Sequence, residues 1–366
     1  MNEFKKILMQ ENIFNFSKEE LINIYCCGPT SYNSMHIGNM RTMYFFFCLK
    51  LLLQNMNYNV SYIVNVTDID DKIINKSLEK KELFQVISDK YFNICLQQMK
   101  QFRVIDSTTQ IVRVTDEISS IIKYLTFLIE NQYAYIKKDG IYCSIKKKYY
   151  FVFKKPFSTL ENNEIDFCLW KFNENKNNEP KWFSPWGFGR PGWHLECVAI
   201  ILRYFNVLHI HGGGSDLIFP HHENERYLFY LLTKNDNFVR HWLHVGMLKG
   251  VLDDKFIKMS KSKENDFFIF GNEIKLMFLN NSFRLDMNCN QIIIEQNRRK
   301  LKKIQYYMEK NVDVINELNA VKILVKLIIS LKWPAAIGKI FSFLYQKKIN
   351  FELCRGILSN IFDIYF

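Results

Sequence analysis

The chain has 366 residues, 48% of them hydrophobic and 23% charged, with a formal net charge of +12 and a sequence pI near 9.1. That suffices for two or three domains around a sizeable core, while nine scattered cysteines, an odd number, exclude a disulfide framework and read as thiols of a reducing compartment. The basic excess suits a polyanionic partner, either nucleic acid or an anionic membrane surface, although the Lys-, Asn- and Ile-rich composition of an AT-biased genome explains about half of it.

Residues 1–18 mix charged and apolar side chains and hold no signal-peptide core. Residues 22–27 read as a buried strand that breaks at Gly28-Pro29. A helix follows over 39–55, apolar on most faces and therefore buried. Its run 43–53 is interrupted by Lys50 and is too short to span a bilayer. A second strand over 60–66 ends at Thr67-Asp68, so the opening reads strand, helix, strand, as in a parallel α/β sheet. An amphipathic helix is predicted over 116–131 and a hairpin over 133–145, turning at Asp139-Gly140. A strand over 207–211 precedes Gly212-Gly213-Gly214. From 272 onward almost everything reads as helix, including a basic amphipathic stretch over 295–311 and an apolar one over 321–331. The expected division is a Rossmann-type α/β domain with a parallel sheet over 1–107 and 189–271, a connective insertion over 108–188 and a helical bundle over 272–366.

Two short strings carry the chemistry. His36-Ile37-Gly38-Asn39 stands between strand and helix, where free backbone N–H groups and a positive dipole end suit a triphosphate. Gly38 leaves room for a nucleotide, and His36 can donate to a phosphoryl oxygen. Taken alone, the string reads as readily as a surface turn. Lys258-Met259-Ser260-Lys261-Ser262 offers two lysines spaced by three, point charges suited to an α-phosphate and a departing pyrophosphate. Its bland reading is a solvated basic loop.

In this order and separation, the two strings resemble the signature motifs of class I aminoacyl-tRNA synthetases. The resemblance to the cysteinyl-tRNA synthetase family is denser still. It rests on Cys27-Gly28-Pro29-Thr30, Asn65-Val66-Thr67-Asp68-Ile69-Asp70-Asp71-Lys72, residues 166–171, Ser184-Pro185-Trp186-Gly187, residues 189–197 and residues 211–225. It implies one Zn²⁺ per chain, held by Cys27, Cys197, His221 and Glu225. His221 and Glu225 are four apart and would share a helical face. Read without the resemblance, Cys26 serves as well as Cys27, His222 as well as His221, and Glu223 stands beside Glu225; Cys26 and Cys27 would point to opposite faces of a strand. Zinc held this way binds the substrate's thiolate far better than a serine hydroxyl, which discriminates where size cannot.

By the same resemblance, ATP with Mg²⁺ is expected on Thr30, His36, Gly38, Asn39, Gly213, Asp216 and Lys261. L-Cysteine is expected beside Cys27, Thr67 and Trp193, the last of these reading equally well as a core indole. The catalytic group would be His36, Asn39, Lys258 and Lys261, making cysteinyl-adenylate and then charging the 3′ end of tRNA(Cys). Asp68, Asp70 and Asp71 read as hydrogen-bonding residues of a strand-end loop. Three departures stand out. Lys263-Glu264-Asn265 replaces Leu-Gly-Asn, Val245 replaces a common Ser, and the chain ends about a hundred residues short of a full family member. On that basis a small anticodon-reading domain is not expected. Two other functions fit the same residues: a ligase joining cysteine to a small amine such as an amino-sugar inositol, as in mycothiol synthesis, and a non-catalytic zinc-containing RNA-binding protein. The expectation is a cytoplasmic monomer without a membrane contact.

Overall fold

The computed structural model describes residues 2–146, 152–153, 166–173, 179–252, 255–258 and 271–366. After a short helix α1 (Asn2–Gln10), the chain enters strand β1 (Leu21–Cys26), helix α2 (Ile37–Asn55) and strand β2 (Asn59–Val66). Helices α3 (Asp71–Lys80) and α4 (Phe84–Phe102) then lead to strand β3 (Thr109–Arg113). Helix α5 (Ile118–Glu130) precedes strands β4 (Ala134–Lys137), β5 (Gly140–Cys143), β6 (Phe167–Phe172), β7 (Trp182–Ser184) and β8 (Gly187–Pro191). Helix α6 (Trp193–Tyr204), strand β9 (Leu208–Gly214), helix α7 (Glu223–Thr233) and strand β10 (Val239–Val245) return to the first layer. Strands β11 (Leu248–Leu252) and β12 (Lys255–Lys258), helix α8 (Asn272–Leu279), strand β13 (Met287–Cys289) and helices α9 (Gln291–Lys310), α10 (Leu318–Ile329), α11 (Trp333–Tyr345) and α12 (Phe351–Asn360) complete the described chain.

The central sheet has the order β10-β9-β1-β2-β3, and every pairing in it is parallel. This is a Rossmann-type α/β domain. The chain leaves β1 toward β2 and β3, and returns on the other side at β9, so the topological switch lies between β1 and β9. Ligand crevices form at the C-terminal ends of the strands at such a point. Helix α2 packs on this sheet and is buried along almost its whole length, as its apolar run predicts. It carries Lys50 into the core, where the ammonium meets Asp106 and the Thr108 hydroxyl.

Structure and sequence reading differ in four places. Thr109–Arg113 pairs with β2, so these residues belong to the central sheet rather than to the insertion expected from 108. The separate antiparallel sheet, β4-β5-β6-β8-β7, extends to Pro191. In its first hairpin Lys137 pairs with Gly140, so the turn is Lys138-Asp139. Gly140 is instead a point of close approach, because a Cβ there would lie 2.4 Å from the Trp170 carbonyl oxygen. The stretch after 272 contains β13, which pairs parallel with β11 and joins a three-stranded sheet β12-β11-β13. Three residues are too few for a strand period to show against helical surroundings.

Among the described residues no helix is long and apolar enough to cross a membrane.

Candidate active site and metal centre

A cavity of about 420 Å³ opens over the C-terminal ends of β1 and β9. Its floor is the turn after β1. Gly28 is required there, since a Cβ would fall 1.8 Å from the Asn65 carbonyl oxygen of β2. Asn65 accepts from the Gly28 N–H (2.9 Å) and donates to the Thr67 hydroxyl (3.2 Å). Thr67 N–H donates to the Pro29 carbonyl (3.1 Å), and Ser31 N–H donates to that of Thr67 (2.9 Å). Thr30 and Thr67 thus face the cavity from a fixed platform.

One end of the cavity is the start of α2. His36 is the N-cap: its Nδ1 accepts from the Asn39 N–H (3.3 Å), while the His36 N–H donates to Asn39 Oδ1 (3.3 Å). This reciprocal box uses two groups that a helix start would leave unpaired. It also fixes a tautomer, because Nδ1 accepts and the neutral ring carries its proton on Nε2. His36, Gly38 and Asn39 all line the cavity.

The other end is made of sulfur and imidazole. Cys27 Sγ lies 3.9 Å from Cys197 Sγ, 3.7 Å from His221 Nε2 and 3.9 Å from Glu225 Oε1. His221 Nε2 is 3.6 Å from Cys197 Sγ and 3.0 Å from Glu225 Oε1. Around tetrahedral zinc the ligand edges would be ~3.8 Å between sulfurs and ~3.6 Å from sulfur to nitrogen. The donor set therefore fits Zn²⁺ in chemistry and spacing. The alternating faces of a strand explain the choice of thiol, as Cys26 turns into the core beneath α2 while Cys27 faces the cavity. His222 is not set apart so cleanly. Its Nε2 is 3.4 Å from Cys27 Sγ, and Cys27, His211, His222 and Glu225 form a second cluster of donors on the same sulfur. Glu223 points elsewhere, to Arg226 and the Phe153 N–H.

The electrostatics of this end follow from burial and facing partners. The hydrogen bond from Cys27, together with the facing His221, brings the Cys197 thiol down to about 6. Burial pushes the Cys27 thiol up. Burial alone would raise the Glu225 carboxyl, but His221 and His211 hold it well below the usual carboxylate range. His194 and His211 stand within strings that carry the resemblance, yet neither they nor His244 were read from sequence as supports of the ligands, a role that only the fold reveals. His194 Nδ1 lies 3.0 Å from His221 Nδ1, His211 Nε2 lies 2.7 Å from Glu225 Oε2, and His244 Nε2 lies 2.8 Å from His222 Nδ1. Such partners orient ligand side chains.

Trp193 is 40% exposed, so it is no core indole; its ring stacks on that of His221 at 4.1 Å. Gly214 and Asp216 line the cavity, whereas Gly213 packs behind it, its Cβ position 3.3 Å from Cys27 Cβ. Asp68 holds Arg113 and Thr115, Asp70 caps α3, and Asp71 holds Lys171 and Arg190. Tyr32 and Lys72 also line the cavity; Lys72 ends one of the strings that carry the resemblance, but neither residue was given a role from sequence. Lys258 ends β12, and Lys261 lies outside the described residues, as do Met259, Ser260 and 262–265.

A parallel sheet in this order, with a helix start and a thiol cluster at its switch point, defines the catalytic core of a class I aminoacyl-tRNA synthetase. Residues 13–299 match the family model "tRNA synthetases class I (C) catalytic domain", and the chain belongs to that family. It is 39% identical to a cysteine–tRNA ligase of Methanococcus aeolicus over 70% of this chain and 54% of that one. It is likewise 39% identical to one of Wigglesworthia glossinidia brevipalpis over 74% of this chain and 60% of that one. A Methanococcus vannielii cysteine–tRNA ligase is 33% identical over 95% of this chain and 74% of its own. The chain thus spans little more than half the length of the first two relatives. The fold is shared with a LeuRS of Agrobacterium radiobacter in a ternary complex with tRNA and LeuAMS, at TM-score 0.70 and 8% identity, covering 98% of this chain and 86% of that one. It is also shared with Mycobacterium tuberculosis methionyl-tRNA synthetase in complex with methionyl-adenylate, at TM-score 0.65 and 10% identity, covering 94% and 87%.

Proposed function

We propose that the chain activates L-cysteine with ATP and transfers it to the 3′ end of tRNA(Cys), as a cysteine–tRNA ligase. One observation carries this reading: a single cavity joins the capped start of α2 to the Cys27, Cys197 and His221 cluster. A triphosphate at the first end and a cysteine side chain at the second would bring the amino acid's carboxylate to the α-phosphorus.

A carboxylate oxygen of cysteine attacks the α-phosphorus, the bond to the β-phosphate bridging oxygen breaks, and pyrophosphate leaves with its Mg²⁺. His36 Nε2–H donates to the transferring phosphoryl group, and the N–H groups of the first turn of α2 add the dipole. Lys258 and Lys261 neutralise charge on the leaving group, a role that rests on the family motif. No side-chain nucleophile takes part, so positioning and electrostatics do the catalysis. Zn²⁺ held by Cys27, Cys197, His221 and Glu225 would supply a soft site that favours thiolate over hydroxyl. Trp193, stacked on His221, covers the amino-acid side. The adenosine would lie toward Gly214 and Asp216, and the helices from α8 onward would carry the tRNA.

The test is charging. Purified chain with ATP, Mg²⁺ and radiolabelled cysteine should load a tRNA(Cys) transcript and leave a small amine such as glucosaminyl-inositol unmodified. Loading of the amine instead would identify the small-molecule ligase, and binding of RNA without loading of either acceptor would identify a non-catalytic protein.

A further inference from the structure

Arg41 lies in α2, one residue past Met40 and two past Asn39, and it is almost fully buried. Its described hydrogen bonds go to backbone carbonyl oxygens, in two pairs. Nη1 donates to Gly246 (2.6 Å) and Met247 (3.2 Å). Nη2 donates to Ser282 (3.0 Å) and Leu285 (2.8 Å). These acceptors are the two roots of one excursion of the chain, which leaves after β10 and returns after α8.

The roots are joined directly as well. Gly246 N–H donates to the Phe283 carbonyl (2.7 Å), and Met287 N–H to that of Met247 (2.9 Å). Met247 N–H donates to Asp286 Oδ1 (2.8 Å), and Lys249 pairs with Asp286 Oδ2 (2.9 Å). The approach is so close that a Cβ on Gly246 would come within 2.2 Å of the Leu285 carbonyl oxygen. Two consequences meet here. Val245, Gly246, Met247 and Leu248 form a wall of the cavity. The next strand, β11, pairs with β12 so that Lys249 stands opposite Lys258.

We propose that Arg41 is a positioning residue that clasps both roots of this excursion to the helix bearing His36 and Asn39, and so sets the nucleotide wall and the strand of Lys258 against the phosphate end of the cavity. The inference rests on the proposed cysteine activation and deepens it. The guanidinium fork is needed, since each terminal nitrogen serves one root. A lysine keeps the charge but offers one point and cannot span both pairs. Arg41 does not line the cavity, so it acts through backbone position and not on substrate.

Arg41→Lys and Arg41→Met in the full chain test this. Pyrophosphate exchange should lose roughly 10- to 100-fold in kcat, as misplacement by about an ångström does, and KM for ATP should rise. KM for cysteine and the zinc content should stay within about twofold, because the thiol end is built on β1, α6 and α7. Backbone amides of 246–249 and 282–287 should exchange with deuterium faster, with the rest of the central sheet unchanged. Should Arg41→Lys fail to fold, Asp286→Ala loosens the same knot from its exposed side and should give a smaller shift of the same sign. A folded Arg41→Lys variant with wild-type kcat and KM for ATP overturns the proposal. So does a loss shared equally by both substrates and by zinc, which would mark general destabilisation. If the unaltered chain shows no cysteine-dependent exchange, the functional reading fails while the deuterium result still decides the clasp: faster exchange confined to the two roots supports it, and unchanged exchange overturns it.

Discussion

The sulfurs of Cys27 and Cys197 stand 3.9 Å apart, although 170 residues separate them in sequence. That distance is far from the ~2.05 Å of a disulfide, and it matches the edge of a metal tetrahedron. The pair can meet because β1 ends and α6 passes at the switch of the central sheet. Cys197→Ser should therefore lower zinc affinity by more than about 100-fold, since even supporting partners of ligands cost 10- to 100-fold. Metal content by mass spectrometry, with the cysteine-to-serine preference in exchange, checks this. Full zinc content with an unchanged preference would mean that the ligand set is wrong.

His36 caps α2 through Nδ1 and also lines the cavity, so its capping role and its proposed phosphate role are separable. His36→Ala should lose the cap, about 1 kcal/mol of stability, and about 100- to 1000-fold in adenylate formation. His36→Asn should regain the cap, because Asn is a good N-cap residue, and leave activity low. Thermal melts and exchange rates measured together distinguish the two. Activity restored by Asn would assign His36 a capping role alone. Lys261→Ala should likewise lower exchange by orders of magnitude without moving the melting temperature.

Helix α9 carries the densest basic run, but its residues are not equivalent. Arg298 is engaged by Glu273 and Glu295, while Arg299 is 74% exposed and Lys302 and Lys303 are also exposed. Replacing Lys302 and Lys303 by Ala should weaken tRNA binding across sequences and reduce the slope of log affinity against log salt by about two. An unchanged slope would remove α9 from the tRNA surface.

Lys50 is a buried ammonium whose Asp106 partner is about a third exposed. Burial pulls the Asp106 carboxyl up, but hydrogen bonds from Lys50, Thr109 and Thr108 outweigh it and leave its pKa lowered. A lowered folded value means stability present above the unfolded pKa of about 3.9 and lost as pH falls through the folded one. Asp106→Asn should cost about 2 kcal/mol at pH 7, and the gap to the unaltered chain should narrow as pH falls below about 4 and through the folded value. Urea melts at several pH values measure it. A gap independent of pH would show that the carboxylate charge does not matter.

Strands β1 and β2 and the buried helix α2 were legible to within a residue or two, since each is a long apolar run bounded by Gly, Pro or Asn. The fates of Thr109–Arg113 and of Met287–Cys289 were not, because a short strand is decided by the neighbour it pairs with. At the site, Cys27, Cys197, His221 and Glu225 were readable only through the resemblance to a family. Spacing alone could not choose between His221 and His222, and the structure brings both within reach of Cys27. The roles of His194, His211 and Arg41 were not legible in sequence, because what they do depends on segments that meet only in the fold.

The central claim is that this cavity activates cysteine. Cysteine-dependent exchange of pyrophosphate into ATP, run on zinc-loaded protein against serine and a no-amino-acid control, tests it most directly. The account predicts exchange with cysteine and background rates with serine. Exchange at background with cysteine, or equal rates with the two amino acids, would contradict it.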